Sequence, residues 1–240
     1  MRISKFMDRA LFALSVPKCT CCGDKLNYGE KAFCLKCYAE YNDFKTRNCS
    51  KCARILSECD CSNDFLESHF VRRVVKCYRY ITTNDNMPSN KLIYSLKRDN
   101  REDVLSFAAD ELSNTIRNSV ENPAGCIYTN IPRRKSAIIE FGIDHSQLLA
   151  KAVTDRLSGR YIELLKSNAK NPQKSLDPAQ RRKNADFYLV NDIDLKGKTV
   201  IIIDDIITSG SSMANAASLV RSLGSKDIVA ASLAIAYKDS

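Results

Sequence analysis

The run VIIIDDIITSGSS, from Val200 to Ser212, decides how the chain folds. Val200 to Ile203 are four consecutive β-branched apolar residues with no polar alternation. A strand covered on both faces reads this way, and such strands lie inside parallel sheets. Past two carboxylates, Met213, Ala216, Ala217, Val220 and Leu223 recur at helical spacing, and Gly224 closes the series. Thr208 to Ser212 is therefore a loop entering a helix. Main-chain N–H groups at a helix start lack intrahelical partners. The hydroxyls of Thr208, Ser209, Ser211 and Ser212 add donors, and Gly210 permits close backbone approach. The pattern is a phosphate cradle. Asp204 and Asp205 cannot grip the same phosphate, because like charges repel. They call for hydrogen-bond donors or a cation, and the 2′ and 3′ hydroxyls of a ribose supply the donors. The segment reads as a ribose 5-phosphate site, with an ordinary buried strand and turn as the plainer alternative.

Three other readings fail on spacing. Gly197-Lys198-Thr199 mimics the end of a P-loop, but it precedes the strand and position 192 is Asp where glycine is required. The apolar run ending in Asp204-Asp205 could be a Walker B strand, yet no Walker A motif accompanies it. At Asp204 an Asp-x-Asp phosphatase motif is excluded because Ile206 stands two residues on.

Working towards the N-terminus, Ser167 to Asn184 is a long polar stretch with Pro172 and Pro178, which reads as a lid over the site or as a linker. SQLLAKAVTDRLSG is a helix closed by Gly159. CIYTNIP is a buried strand ending at Pro132, followed directly by Arg133, Arg134 and Lys135. Three cations beyond a strand end are placed for an anion in an α/β sheet; a solvated basic turn is the alternative. SNKLIYSLKRDN and REDVLSFAADELSNTIRNSV read as helices, the second with Val104, Phe107, Ala108, Leu112 and Ile116 on one face. FVRRVVKCYRYI is strand-like. Its interleaved basic residues suit either a half-solvated strand or an edge facing nucleic acid.

The N-terminal quarter is different. Nine of eleven cysteines lie between Cys19 and Cys61. Cys19-x2-Cys22 and Cys34-x2-Cys37 are paired knuckles whose sulfurs can face one tetrahedral zinc ion. Cys49-x2-Cys52 and Cys59-x-Cys61 form a second set, its last pair one residue short of the usual spacing. Four sulfurs close a zinc shell, so the role is structural, and metal would supply folding energy that so small a polar segment lacks. Disulfides or free thiols are the alternatives. Cys21 is a spare, and Cys77 and Cys126 read as core residues. Residues 1–65 are expected to form this module and residues 66–240 an α/β domain.

The formal charge is +9. Eight zinc-bound thiolates and two Zn²⁺ ions would bring it to about +5, so basicity alone argues weakly for nucleic acid. No stretch approaches the ~20 apolar residues of a membrane helix. Asp8 and Arg9 interrupt the apolar run a leader peptide would need, and Ile3, Phe6, Ala10, Leu11 and Leu14 instead mark a short amphipathic helix, so a cytoplasmic location and reduced cysteines are expected.

VIIIDDIITSGSS resembles the phosphoribosyl pyrophosphate (PRPP) signature of type I phosphoribosyltransferases. The paired CxxC knuckles, LIYSLK (Leu92–Lys97), GIDHSQLLA (Gly142–Ala150) and the spacing Gln173, Leu176, Arg181, Asn184, Phe187 extend the likeness to the ComF family, competence-protein-F-like proteins with an N-terminal double zinc ribbon. The resemblance implies a five-stranded parallel sheet flanked by helices. It implies Arg133, Arg134 and Lys135 in or beside a pyrophosphate-binding loop, and Arg181 and Asn184 in a segment closing over substrate. It further implies Mg²⁺ bound with PRPP and a part in DNA uptake with single-stranded DNA and other competence proteins as partners. The chain departs from the family at FGIDHS, where RGFNQA is usual: Phe141 replaces an arginine, and Asp144 and His145 an amide pair. Against a PRPP-dependent transferase stand a single-stranded-DNA adaptor and a zinc-stapled interaction protein with a vestigial pocket.

Overall fold

The computed structural model describes residues 16–61, 64–80, 85–134, 138–139, 142–167 and 187–236. The N-terminal helix expected before Pro17 and most of the polar stretch Ser167–Asn184 lie outside them. Five strands form one sheet: β1 (Val71–Arg79), β2 (Ile127–Asn130), β3 (Arg160–Tyr161), β6 (Thr199–Ile207) and β7 (Asp227–Ile235), in the order β1-β7-β6-β2-β3. Every pairing is parallel. The run beginning at Val200 thus forms most of the middle strand, β6, and Val200 to Ile203 are all buried, as expected for a strand with helices on both faces. Short strands β4 (Leu165–Ser167) and β5 (Phe187–Leu189) pair antiparallel beside this sheet.

Among the described residues the helices are α1 (Leu35–Lys45), α2 (Asp64–Glu67), α3 (Pro88–Arg98), α4 (Glu102–Ser119), α5 (His145–Leu157) and α6 (Ser211–Ser222). Pro88 opens α3, where its missing N–H costs nothing. The stripe Val104, Phe107, Ala108, Leu112 and Ile116 buries α4 against β1 and α5. Helix α5 ends on Ser158 in the left-handed conformation, φ 54°. The neighbouring Gly159 serves packing: a Cβ there would lie 2.2 Å from the Tyr128 ring.

The core has two main layers. One collects Leu66, Val71, Val74, Ile202, Met213, Ala217 and Ile228 beneath α6. The other runs from the sheet through α4 and α5 into the cysteine-rich region, taking in Phe33, Tyr41 and Phe44. Tyr41 stacks edge-on to Tyr78 and Phe107 at ring distances of 5.6 Å. Its hydroxyl donates to Glu111 (2.9 Å), which also receives Lys45 Nζ (2.6 Å). The cysteine module therefore shares its apolar core with the sheet domain.

Candidate functional site

The C-terminal ends of β2 and β6 are neighbours through the pair Asn130 and Ile203, which brings the residues following each strand together. Strand alternation sends Asp204 and Asp205 to different surroundings. Asp205 is buried and receives Arg133 Nη2 at 2.9 Å and Lys97 Nζ at 3.3 Å. Asp204 is partly exposed. Its Oδ1 accepts the Asp205 main-chain N–H (2.9 Å) and the Ser146 hydroxyl (3.4 Å). Loss of solvation, and then the adjacent Asp205 charge, push the Asp204 carboxyl up to about 8.

Asp204 lines a small concavity of about 50 Å³ with Ile206, Ile207, Thr208, Ser209, Gly210, Ser211, Ser212 and Met213. Gly210, at φ 78°, is the residue preceding α6, and no side chain caps that helix. The Ser209 and Ser211 hydroxyls are 3.1 Å apart, and both side chains are exposed with those of Thr208 and Ser212. A left-handed glycine is required twice over: a Cβ on Gly210 would also meet Leu66 at 3.1 Å. The result is a carboxyl group and the open N-terminus of a 12-residue helix facing one hollow, chemistry suited to a ligand with both hydroxyls and a phosphate.

Of the three cations after β2, Arg133 turns inward to Asp205, Arg134 is exposed, and Lys135 lies outside the described residues, as do Arg181 and Asn184. Asp144 and His145 have structural work. Asp144 caps α5 by accepting the Gln147 N–H (3.0 Å) and holds the Arg133 main-chain N–H (3.3 Å). His145 is buried; desolvation, then the Arg133 charge, lower its pKa, and its Nε2 has no partner among the described residues. Residue-by-residue reading missed Lys97 and Ser146 as neighbours of the carboxylates. Lys97 ends the LIYSLK motif, and its position in the last turn of α3 was the available signal.

Both cysteine sets gather. The sulfurs of Cys19, Cys22, Cys34 and Cys37 lie within 4.8 Å of one another, and so do those of Cys49, Cys52, Cys59 and Cys61. The two CxxC turns are built alike. Cys19 N–H donates to Asp24 O (2.7 Å) and Gly23 N–H to Cys19 O (3.0 Å); Cys49 N–H donates to Arg54 O (2.7 Å) and Ala53 N–H to Cys49 O (2.9 Å). Gly23 and Ala53 occupy the same left-handed position, φ 80° and 56°. Such turns aim N–H groups at sulfur. The Arg54 N–H brings Cys52 down to about 6. Burial opposes the same effect at Cys19, but the N–H groups of Cys22, Cys34 and Cys21 still bring it to about 7. Four-sulfur sets of this kind could hold metal ions and are compatible with zinc. Cys21 stands outside its set, and Cys77 and Cys126 are buried in the core.

A cavity of about 550 Å³ lies at the other end of the sheet, where β1, β2, β6 and β7 begin, among Phe70, Arg72, Arg73, Val120, Thr199, Arg221, Lys226 and Asp227. No described helix is long and apolar enough to cross a membrane.

Residues 145–239 match the family described as the phosphoribosyl transferase domain, less than half of the chain. A ribose-phosphate pyrophosphokinase from Thermococcus kodakarensis is 57% identical over 37 residues, which are 15% of this chain and 13% of that protein. Its counterpart from Pyrococcus abyssi is 51% identical over 37 residues, again 13% of its length. Among solved structures, the phosphoribosylpyrophosphate synthetase of Mycobacterium smegmatis is 20% identical with a TM-score of 0.35, over 55% of this chain and 34% of that one. The adenine phosphoribosyltransferase of Thermoanaerobacter pseudethanolicus is 16% identical with a TM-score of 0.36, over 55% and 80%. The fold is a parallel sheet flanked by helices, and residues 145–239 match the phosphoribosyl transferase domain.

Proposed function

We propose that the chain binds PRPP, or a related ribose 5-phosphate, as a phosphoribosyltransferase-type protein of the ComF kind. One observation carries this: Asp204 and the loop Thr208–Ser212 line the same concavity at the N-terminus of α6. In this reading the loop's N–H groups and hydroxyls hold the 5-phosphate, and Asp204 and Asp205 take the ribose hydroxyls. Arg133, Arg134 and Lys135 lie beside the pyrophosphate, and Arg181 belongs to the segment that covers the substrate. Mg²⁺ would be held mostly by substrate oxygens. A transfer reaction would break the C1′–O bond to pyrophosphate, and the protein would contribute positioning and electrostatic stabilisation without a covalent nucleophile. The four-cysteine sets would hold structural zinc. Titration calorimetry with Mg²⁺ and PRPP is expected to give binding that Asp204→Asn with Asp205→Asn abolishes, at unchanged zinc content; equal binding by the double variant rejects the reading.

A second reading, a single-stranded-DNA adaptor in DNA uptake, draws on the opposite end of the strands. Arg72, Arg73, Arg221 and Lys226 line the larger cavity there, and Phe70 stands half exposed beside them. Cations with an aromatic face suit stacked bases on a charged backbone. It predicts single-stranded-DNA binding that weakens steeply with salt and is lost in Arg72→Glu with Lys226→Glu; an anisotropy titration at low salt with no change counts against it.

A further inference from the structure

Lys76 lies in the middle of β1 and is 2% exposed. Its Nζ is within hydrogen-bond reach of four acceptors: Cys59 O (3.0 Å), Cys59 Sγ (3.1 Å), Cys61 O (3.2 Å) and Val74 O (3.3 Å). Lysine Nζ is a donor only, and each of these four atoms can accept from it. A buried charge without an opposite partner is costly. Among the described residues no carboxylate contacts Lys76. Of the four acceptors that contact it, the Cys59 sulfur is the one that can carry negative charge.

We propose that Lys76 is a positioning residue of the second cysteine site: its ammonium hydrogen-bonds the Cys59 thiolate when metal is bound and fastens that site to the edge strand of the sheet. The inference rests on the zinc reading of Cys49, Cys52, Cys59 and Cys61. Four thiolates on Zn²⁺ leave a net charge of −2, which the lysine partly offsets on the buried side of the set. The contact falls at the irregularly spaced pair of the set. Cys59-x-Cys61 is too short to be a full CxxC turn, and the lysine supplies a donor from outside. The attachment is reinforced next door, where Val74 N–H donates to Asp60 O (3.1 Å) and Arg73 Nε meets Asp60 Oδ2 (3.1 Å).

The test is zinc stoichiometry and chelator competition on the full chain and on Lys76→Met, with the first site as internal control. The expected result is two zinc ions in the wild type and, in the variant, a tenfold to hundredfold weaker second site with the first unchanged, as for loss of an outer-shell hydrogen bond. Two ions in the wild type with equal affinities in Lys76→Met overturn the role of Lys76 alone; fewer than two in the wild type overturn the zinc reading as well. Should the variant fail to fold, NMR of lysine ammonium groups in the unaltered protein decides. A slowly exchanging Lys76 signal that moves when cadmium replaces zinc supports the contact, and fast exchange with no response to the metal overturns it.

Discussion

Asp204 and Asp205 are adjacent yet differ in what surrounds them. Asp205 is neutralised by Arg133 and Lys97, while Asp204 has a hydroxyl and a main-chain N–H. The Asp204 pKa rises from 3.8 to about 8. Between those values the native state keeps a proton that the unfolded chain has lost, so stability falls as pH rises, and the cost is complete above about 8. Asp204→Asn is therefore expected to flatten the pH dependence of urea unfolding and to be about 1–3 kcal/mol more stable than wild type at high pH. A wild-type profile already flat from pH 4 to 9 would contradict this. Asp205→Ala has the opposite expectation. It strands two cations beside a buried position and should cost about 3 kcal/mol, against a smaller loss for Arg134→Ala, whose side chain is exposed.

At the scale of elements, the same CxxC turn occurs twice with one difference. Ala53 holds the left-handed position that Gly23 fills in the first. Left-handed backbone costs a residue with a Cβ about 1–2 kcal/mol, part of which glycine loses again through its freer unfolded chain. Ala53→Gly should thus raise stability by up to about 1 kcal/mol, and Gly23→Ala should lower it by at least that much, both read from unfolding of the zinc-loaded protein. The turn before α6 carries two constraints. In Gly210→Ala, the φ of 78° and the Leu66 contact at 3.1 Å act together. The variant should lose about 1–2 kcal/mol of stability and, on the proposed function, bind PRPP more weakly, both measurable on one sample.

For the whole molecule, the cysteine module and the sheet share one apolar layer, from Phe33 and Tyr41 through Phe107 and Tyr78 to Val75 and Ala231. Layers that share a core unfold together. Removing metal with a chelator is expected to lower the melting temperature of the sheet in a single transition followed by circular dichroism. Two separated transitions, with the sheet's unmoved, would show that residues 1–65 and 66–240 are independent units.

Much of this was legible in the chain. An uninterrupted apolar run from Val200 to Ile203 dictates a strand buried on both faces, and the hydroxyl-rich turn with Gly210 dictates a helix entrance, because both follow from local periodicity and backbone conformation. Cysteine spacing predicted the two sets for the same reason: a CxxC turn is a local structure. What periodicity could not supply was partnership across the chain. That Lys97 and Arg133 converge on Asp205 depends on strand order, which sets β6 beside β2 and turns the end of α3 towards them. Lys76 is the plainest case. Within FVRRVVKCYRYI it looks like one more solvated cation of an edge strand, and its burial against Cys59 exists only because the cysteine module packs on that edge. Sequence by itself determined the elements and their chemistry; tertiary packing decided which charges meet, because a charge's environment is set by residues far away in the chain.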